Sequence, residues 1–429
     1  MNIVQVIVIG LCIIAVILAI LFWSGIIGPQ RGTVDPGGGQ AFSGEVRVWG
    51  TLPSDSYIDF FTEYEASKNI RVSYSQHAPE KFTEEIVRAI ARREGPDVVL
   101  IDIDWITSNY DILTPTPPEV MQPQEFRNTF IDASEVDLVR EDKIWGFPIG
   151  IDPLVLYWNK DIFNANSIPL PPKNWNEVLT QSNTIKRIKD GGVVGQAGIA
   201  LGRSRNIPLY KEIVSLLLLQ LGGSIENQAG ELILNSPSNQ DVGGRVFRFF
   251  TDFGKSGTEA YSWTTALPPP RVLFSQGKLG MMLDYLSYES QLREQNPHIS
   301  FDIAPLPQPQ GNEVPIYYAT TNAVAVLVGS PNIAPAWQFA KSISGAGGVQ
   351  RLLVQHVINV PARRDQLNTL AFTENPRHEL LRTIALNTRR PINTHTQRNS
   401  NLIADIIEAI ANGQLSSEIA ISQALEKTK

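Results

Sequence analysis

The chain has 429 residues, 43% hydrophobic and 18% charged, a globular composition long enough for two lobes with separate cores and unlike that of a disordered chain. A formal net charge of −7, with the Lys and Arg residues scattered rather than gathered into a stripe, argues against a nucleic-acid partner. The single cysteine, Cys12, excludes an intramolecular disulfide and any CxxC metal site.

Residues 3–27 form an apolar run broken only by Gln5, Ser24 and glycines. At about 1.5 Å per helical residue, such a run spans a ~30 Å hydrocarbon layer. No Lys or Arg precedes it, and no small-x-small pair is well placed after Phe22-Trp23, so cleavage as a signal peptide is not expected. Residues 1–27 therefore read as an uncleaved, single-pass transmembrane anchor. Leu11 before Cys12, and the apolar residues after it, make a poor lipidation site. Arg31 gives almost no orientation by the positive-inside rule. Residues 28–44, with Gly28-Pro29, Asp35-Pro36 and Gly37-Gly38-Gly39, read as a flexible linker.

From residue 45 the pattern turns to strand and helix. Residues 45–50 predict a strand ending in a glycine loop, followed by a helix with Tyr57, Phe60, Phe61 and Tyr64 on one face. Residues 70–74 predict a second strand, and Phe82, Ile86 and Ile90 mark a helix that stops at Gly95-Pro96. Residues 97–101 then predict a third, parallel strand. This βαβαβ order makes a doubly wound α/β lobe, in which ligands bind beyond the carboxyl ends of the strands. The loops there are Trp49-Gly-Thr51 and Asp102-Ile-Asp104-Trp105.

Residues 144–163 deliver a lone carboxylate, Asp152, into otherwise apolar backbone. Leu154, Leu156 and Trp158 alternate with Val155, Tyr157 and Asn159, as in a strand buried on both faces. A carboxylate at that junction needs hydrogen-bonding partners from the protein or from a ligand. The words Gly146-Phe-Pro148, an acid two residues after Gly150, and Leu156-Tyr-Trp-Asn-Lys-Asp161 resemble the extracellular solute-binding proteins of ABC importers, within the carbohydrate-binding cluster that includes maltose-binding proteins. The stretches 201–223, 250–254, 261–263, 274–282 and 301–307 follow in that family's order, so the resemblance covers roughly residues 45–341.

The resemblance implies an α/β, two-lobed periplasmic-binding-protein-like fold with a hinge, over residues 45–429 and outside the cell. The first lobe is expected at about 45–150 and 320–366, the second at about 151–319 and 367–429. Helices are predicted over 175–189, 208–221 and 242–253, a return strand over 316–328, a helix through Trp337 and Phe339, and C-terminal helices over 402–411 and 415–425 that pack on the second lobe.

A sugar offers hydroxyls to polar side chains and C–H faces to aromatic rings. The candidate ligand-binding residues are Trp49, Thr51, Asp104, Trp105, Asp152, Trp263, Asp284, Tyr285, Tyr318 and Thr320. Each has a structural alternative: Asp104 as a helix cap, Asp152 as an acceptor from hinge backbone, Trp105 and Trp263 as covers on a core edge. Trp145, Trp158, Trp175 and Trp337 read as core.

Catalytic motifs fail on inspection. His378-Glu379 opens like a zinc-protease motif, but Arg382 stands where the second histidine is required, and no P-loop or GxSxG occurs. Gly345-Ala-Gly347-Gly348 lacks the third glycine of a dinucleotide loop. No enzymatic activity, cofactor or metal is expected. The expected partners are a small-molecule ligand of carbohydrate type, the permease subunits of an ABC importer and the membrane, with the chain itself a monomer. Two alternatives are a binding protein for a cationic solute such as a polyamine, through carboxylates beside tryptophans, and a sensor or adhesion module on the same fold.

Overall fold

The computed structural model describes residues 44–227, 231–235, 241–390 and 397–428. The expected membrane anchor, and the linker up to residue 43, lie outside the described residues. Among those described, no helix is long and apolar enough to cross a membrane.

The first half of the chain builds the parallel sheet that its alternation predicts. Strand β1 (Gly44–Gly50) buries Val46 and Val48 and is flanked in parallel by β2 (Ile70–Gln76) and β3 (Val98–Asp102). Helix α1 (Ile58–Lys68) buries Phe60, Phe61 and Tyr64, whose rings pack on Phe339. Asn69 ends α1 in the left-handed conformation, a role its short polar side chain tolerates. Helix α2 (Pro79–Ala91) starts with proline at its first position and buries Phe82 and Ile86. Helices α3 (Ile103–Ser108) and α4 (Asp132–Leu138) follow β3.

A 13-residue strand, β4 (Phe147–Asn159), joins the two halves. Its first part pairs antiparallel with β9 (Ala319–Val326) and with Val360–Pro361; its second part pairs with β7 (Leu279–Tyr285) and β8 (Phe301–Ala304). With β5 (Arg187–Lys189) and β6 (Val193–Ile199), the strand order is β2-β1-β3-β9-β4-β7-β6-β5. Strand β4 is buried along nearly its whole length, as its apolar run requires. Pro153 has no N–H to donate; its carbonyl accepts from Leu286, while the Leu154 N–H reaches the Tyr318 carbonyl at 2.9 Å.

The second half carries α5 (Trp175–Ile185), α6 (Tyr210–Gln220), α7 (Val242–Asp252), α8 (Pro270–Ser275) and α9 (Tyr288–Gln295). Helix α10 (Ile333–Ile343) packs on β1 and β9, and α11 (His378–Asn387) lies against β4. Helices α12 (Gln397–Ala411) and α13 (Ser417–Glu426) pack on α7, with α12 also against α6. The two-lobed α/β architecture is therefore present, with Trp175 and Trp337 in its core and Trp145 and Trp158 half-buried against it.

One boundary differs from the sequence reading. The helix predicted to run to residue 189 stops at Ile185, and residues 187–189 instead form the edge strand of a hairpin with β6. The turn is Asp190-Gly191-Gly192, in which both glycines have positive φ, 76° and 79°. That dipeptide is a hairpin signal which the helical spacing upstream masked.

Candidate ligand-binding site

At the carboxyl ends of β1 to β3, the chain assembles a row of aromatic rings. Trp49 stacks on His77 with centroids 3.8 Å apart and planes 28° apart; His77 meets Phe82 edge-on, and Phe82 meets Trp105 edge-on at 5.4 Å. The Trp105 indole N–H donates to Thr83 Oγ1 at 2.9 Å, and His77 Nδ1 lies 2.5 Å from Glu85. Trp49 and Trp105 thus share one rigid edge of the first lobe. Thr51 sits at its rim, where its carbonyl accepts from Gln76.

The cap of α3 is Asp102, whose carboxylate accepts from the Trp105 N–H at 3.0 Å. Asp104 is left for another task. Arg390, buried just after α11, donates from Nη2 to Asp104 Oδ1 at 2.7 Å, from Nη1 to the Ala319 carbonyl at 2.9 Å, and from Nε to Asp137 Oδ2 at 2.5 Å. Its guanidinium carbon lies 5.8 Å from the centroid of the Tyr318 ring, which is 2% exposed. The Tyr110 hydroxyl donates to the Asp137 carbonyl. Burial works against the charge on Arg390, but the carboxylates of Asp137 and Asp104 outweigh it and hold the guanidinium charged, with a pKa well above its ordinary value.

Around this ion triad stand Tyr318, Tyr285 at the end of β7, and Glu212 in the first turn of α6. Burial, and then the neighbouring Tyr318, Glu212 and Asp104, raise the Tyr285 hydroxyl well above its ordinary range. Burial pushes the Glu212 carboxyl up to about 7 against a hydrogen bond from its own backbone N–H; Asp104 adds to the rise, and Lys211 and Arg390 also oppose it. Segments from both halves of the chain therefore converge on one polar centre.

Asp152 lies at the crossing, paired in register with Thr320, so the two side chains share a face. Its Oδ1 accepts from the Ser287 N–H at 3.0 Å. Burial pushes its pKa up to about 6, with the Asp284 carboxylate adding to the rise and Ser287 and Arg271 opposing it.

Two candidates are placed elsewhere. Asp284 neighbours Tyr285 on β7, so their side chains point to opposite faces. Its carboxylate takes two bonds of 2.7 Å from Arg271, which in turn lies over the Tyr288 ring. Trp263 is fully buried in the second-lobe core, its indole N–H donated to Asn206 at 3.1 Å. Among the described residues, no His, Cys, Asp and Glu cluster is set to hold a metal.

Glu212, Arg390, Asp137 and His77 escaped the sequence reading. Glu212 had a signal, a lone acid opening the apolar run 213–219, much as Asp152 is a lone acid between apolar segments. Arg390 had none, because its acceptors lie 71, 253 and 286 residues away.

Solved structures share this fold over 90% of the chain. They include the cyclic α-maltosyl-1,6-maltose binding protein from Arthrobacter globiformis (TM-score 0.73, 19% identity, 97% of that chain) and the GacH receptor of Streptomyces glaucescens (0.70, 17%, 97%). A third is an ABC transporter solute-binding protein from Thermotoga lettingae bound with α-D-tagatose (0.69, 18%, 99%). In sequence, a Brucella abortus (strain 2308) protein assigned by name as a binding protein is 25% identical over 304 residues, 70% of this chain and 71% of its own. The family model for the bacterial extracellular solute-binding proteins matches residues 50–350, and the chain belongs to that family.

Proposed function

We propose that the protein is the substrate-binding component of an ABC importer and takes a neutral oligosaccharide or sugar derivative between its lobes. The observation that carries this reading is the state of the carboxylates. Asp104 and Asp137 share the guanidinium of Arg390, Asp284 is neutralised by Arg271, and burial favours the protonated forms of Asp152 and Glu212. Every carboxylate in this centre except Glu212 is already engaged by a guanidinium or a backbone N–H of the protein, which leaves directional hydrogen-bonding groups for hydroxyls rather than a set of free charges for a polyamine. The aromatic row from Trp49 to Trp105 supplies the apolar counterpart. The neighbours named for maltosyl-maltose and tagatose support the same ligand class.

In this reading the ligand-contacting set is Trp49, Thr51, Asp104, Trp105, Asp152, Tyr285, Tyr318 and Thr320. Trp263 and Asp284 enter it only by supporting the walls. The first lobe comprises about 45–150 and 320–366, the second about 151–319 and 367–429, and β4 and β9 form the crossings on which the lobes close. Residues 1–27 tether the domain to the outer face of the membrane, where it works as a monomer with separate permease subunits and without chemistry of its own.

The test is a thermal-shift screen of the protein against monosaccharides, oligosaccharides, polyamines and peptides. A ligand at 100 times its Kd adds about 2.7 kcal/mol of stability. Stabilisation by one glycan class, abolished in Asp152→Ala, is the expected result; stabilisation by polyamines alone would sink the reading.

A further inference from the structure

The ion pairs of this centre leave two acids over, Asp152, which accepts from the Ser287 N–H, and Glu212. All three nitrogens of the Arg390 guanidinium are committed, to Asp137, Asp104 and the Ala319 carbonyl. The Glu212 carboxyl meets its own backbone N–H, but its Oε2 is shielded from solvent and, among the described residues, has no hydrogen-bond partner. The groups acting on it come from several elements. Asp104 stands in the first turn of α3, Arg390 follows α11, and Lys211 is on its own helix. The tyrosines that feel its charge are Tyr285 of β7, Tyr318 leading into β9, and Tyr210 on α6, which also faces Asp405 of α12. A buried polar atom without a partner is costly unless something else satisfies it.

We propose that Glu212 is a ligand-contacting residue that presents an un-ionised carboxyl to a neutral hydroxylated ligand, donating through its O–H and accepting through its carbonyl oxygen, so that binding takes up a proton. The proposal rests on the sugar-binding reading above and adds a residue and a pH dependence to it. The chemistry is hydrogen bonding alone. A bound sugar takes a group that already lies near the Asp104 carboxylate further out of solvent, and thereby favours the protonated form. Burial, which already pushes the Glu212 carboxyl up to about 7 in the unliganded chain, acts in the same direction.

The experiment is calorimetric titration of the full-length protein with maltotetraose, mannobiose and α-D-tagatose at pH 6.5 and 8.5, in buffers of differing ionisation enthalpy. For a carboxyl that must be protonated to bind, Kd rises about 20-fold between these pH values, and close to one proton is taken up per sugar at the higher one. Glu212→Gln keeps both hydrogen bonds and removes the titration, so it is expected to bind with the same Kd at both pH values. Glu212→Ala is expected to weaken binding about tenfold at pH 6.5; if that variant misfolds, the Gln variant carries the test. Sugar binding with no pH dependence, or with the same dependence in Glu212→Gln, overturns the proposal and leaves the sugar reading standing. Failure of all three sugars at both pH values overturns both.

Discussion

Arg390 and Asp104 meet at 2.7 Å across 286 residues of sequence, tying the segment that follows α11 to the loop at the end of β3. The same guanidinium holds Asp137 on α4 and the Ala319 carbonyl at the start of β9, so one side chain fixes a strand-end loop, a helix and a crossing strand. Arg suits this task because its planar fork addresses three acceptors at once.

Removing that fork leaves two carboxylates, one of them fully buried, without their counter-charge. Arg390→Met is therefore expected to destabilise the protein by about 3–5 kcal/mol, and Arg390→Lys to recover only part, because an ammonium on a flexible stem cannot reproduce the fork. Denaturant unfolding monitored by tryptophan fluorescence gives both numbers. A loss below about 1 kcal/mol, the range of exposed pairs, would show that the triad contributes no more than a surface salt bridge.

The two raised carboxyls predict a specific stability profile. Both have folded-state pKa values above their ordinary ones, about 6 for Asp152 and about 7 for Glu212, so the folded state binds more protons than the unfolded state between about pH 4 and 7. Stability from these groups is present below their ordinary pKa values and falls as pH rises through that window, by at most about 3 kcal/mol each. Asp152→Asn and Glu212→Gln should each raise stability at pH 8, leave it unchanged at pH 4, and flatten the profile between. Asn at position 152 retains an acceptor for the Ser287 N–H, so the comparison is with a satisfied site. A profile that rises from pH 4 to 7 in the wild type and falls only in the variants would contradict the assignment.

The periodic elements were legible because period 2 and period 3.6 are local: β1, β2, β3, α1, α2 and the C-terminal helices lie where alternation and apolar spacing put them. So was the placement of Trp49 and Trp105 at strand ends, where doubly wound sheets bind ligands. The interior of the proposed site was legible only where a lone acid interrupts an apolar run, as at Asp152. Asp284 and Tyr285 show the limit: adjacent in sequence, they point to opposite faces of β7, and only the position of Arg271 decides which one turns away from the cluster. Trp263 shows the same limit, since a tryptophan before a proline-rich turn serves equally as a platform or as a core ring, and burial decides for the core.

That contrast among tryptophans is itself testable. Trp49 and Trp105 are half-buried on the first-lobe edge, and truncating either to Ala should weaken sugar binding by about 1 kcal/mol or more, roughly five- to tenfold in Kd, with a modest loss of stability. Trp263→Ala empties a fully buried site and should cost about 3–5 kcal/mol of stability. Paired measurements of Kd and unfolding midpoint separate the classes. If Trp263→Ala abolished binding while leaving the midpoint unmoved, its ring would belong to the ligand and not to the core.

Salt distinguishes the neutral ligand from the cationic one. Asp104 and Asp137 already share Arg390 and Asp284 holds Arg271, so a neutral ligand is held by hydrogen bonds and ring contacts, whose strength barely depends on ionic strength. Attraction between a polyamine and unpaired carboxylates is screened instead, because the Debye length shortens from about 10 Å at 0.1 M to about 3 Å at 1 M. The Kd for the stabilising sugar is therefore expected to change by less than about twofold across that range of salt. A tenfold weakening would mean that the carboxylates act on the ligand as free charges, and it would return the centre to a cation-binding role. Measured on Arg390→Met as well, the same titration becomes a control: freeing Asp104 and Asp137 should introduce salt sensitivity toward spermidine where the wild type shows none.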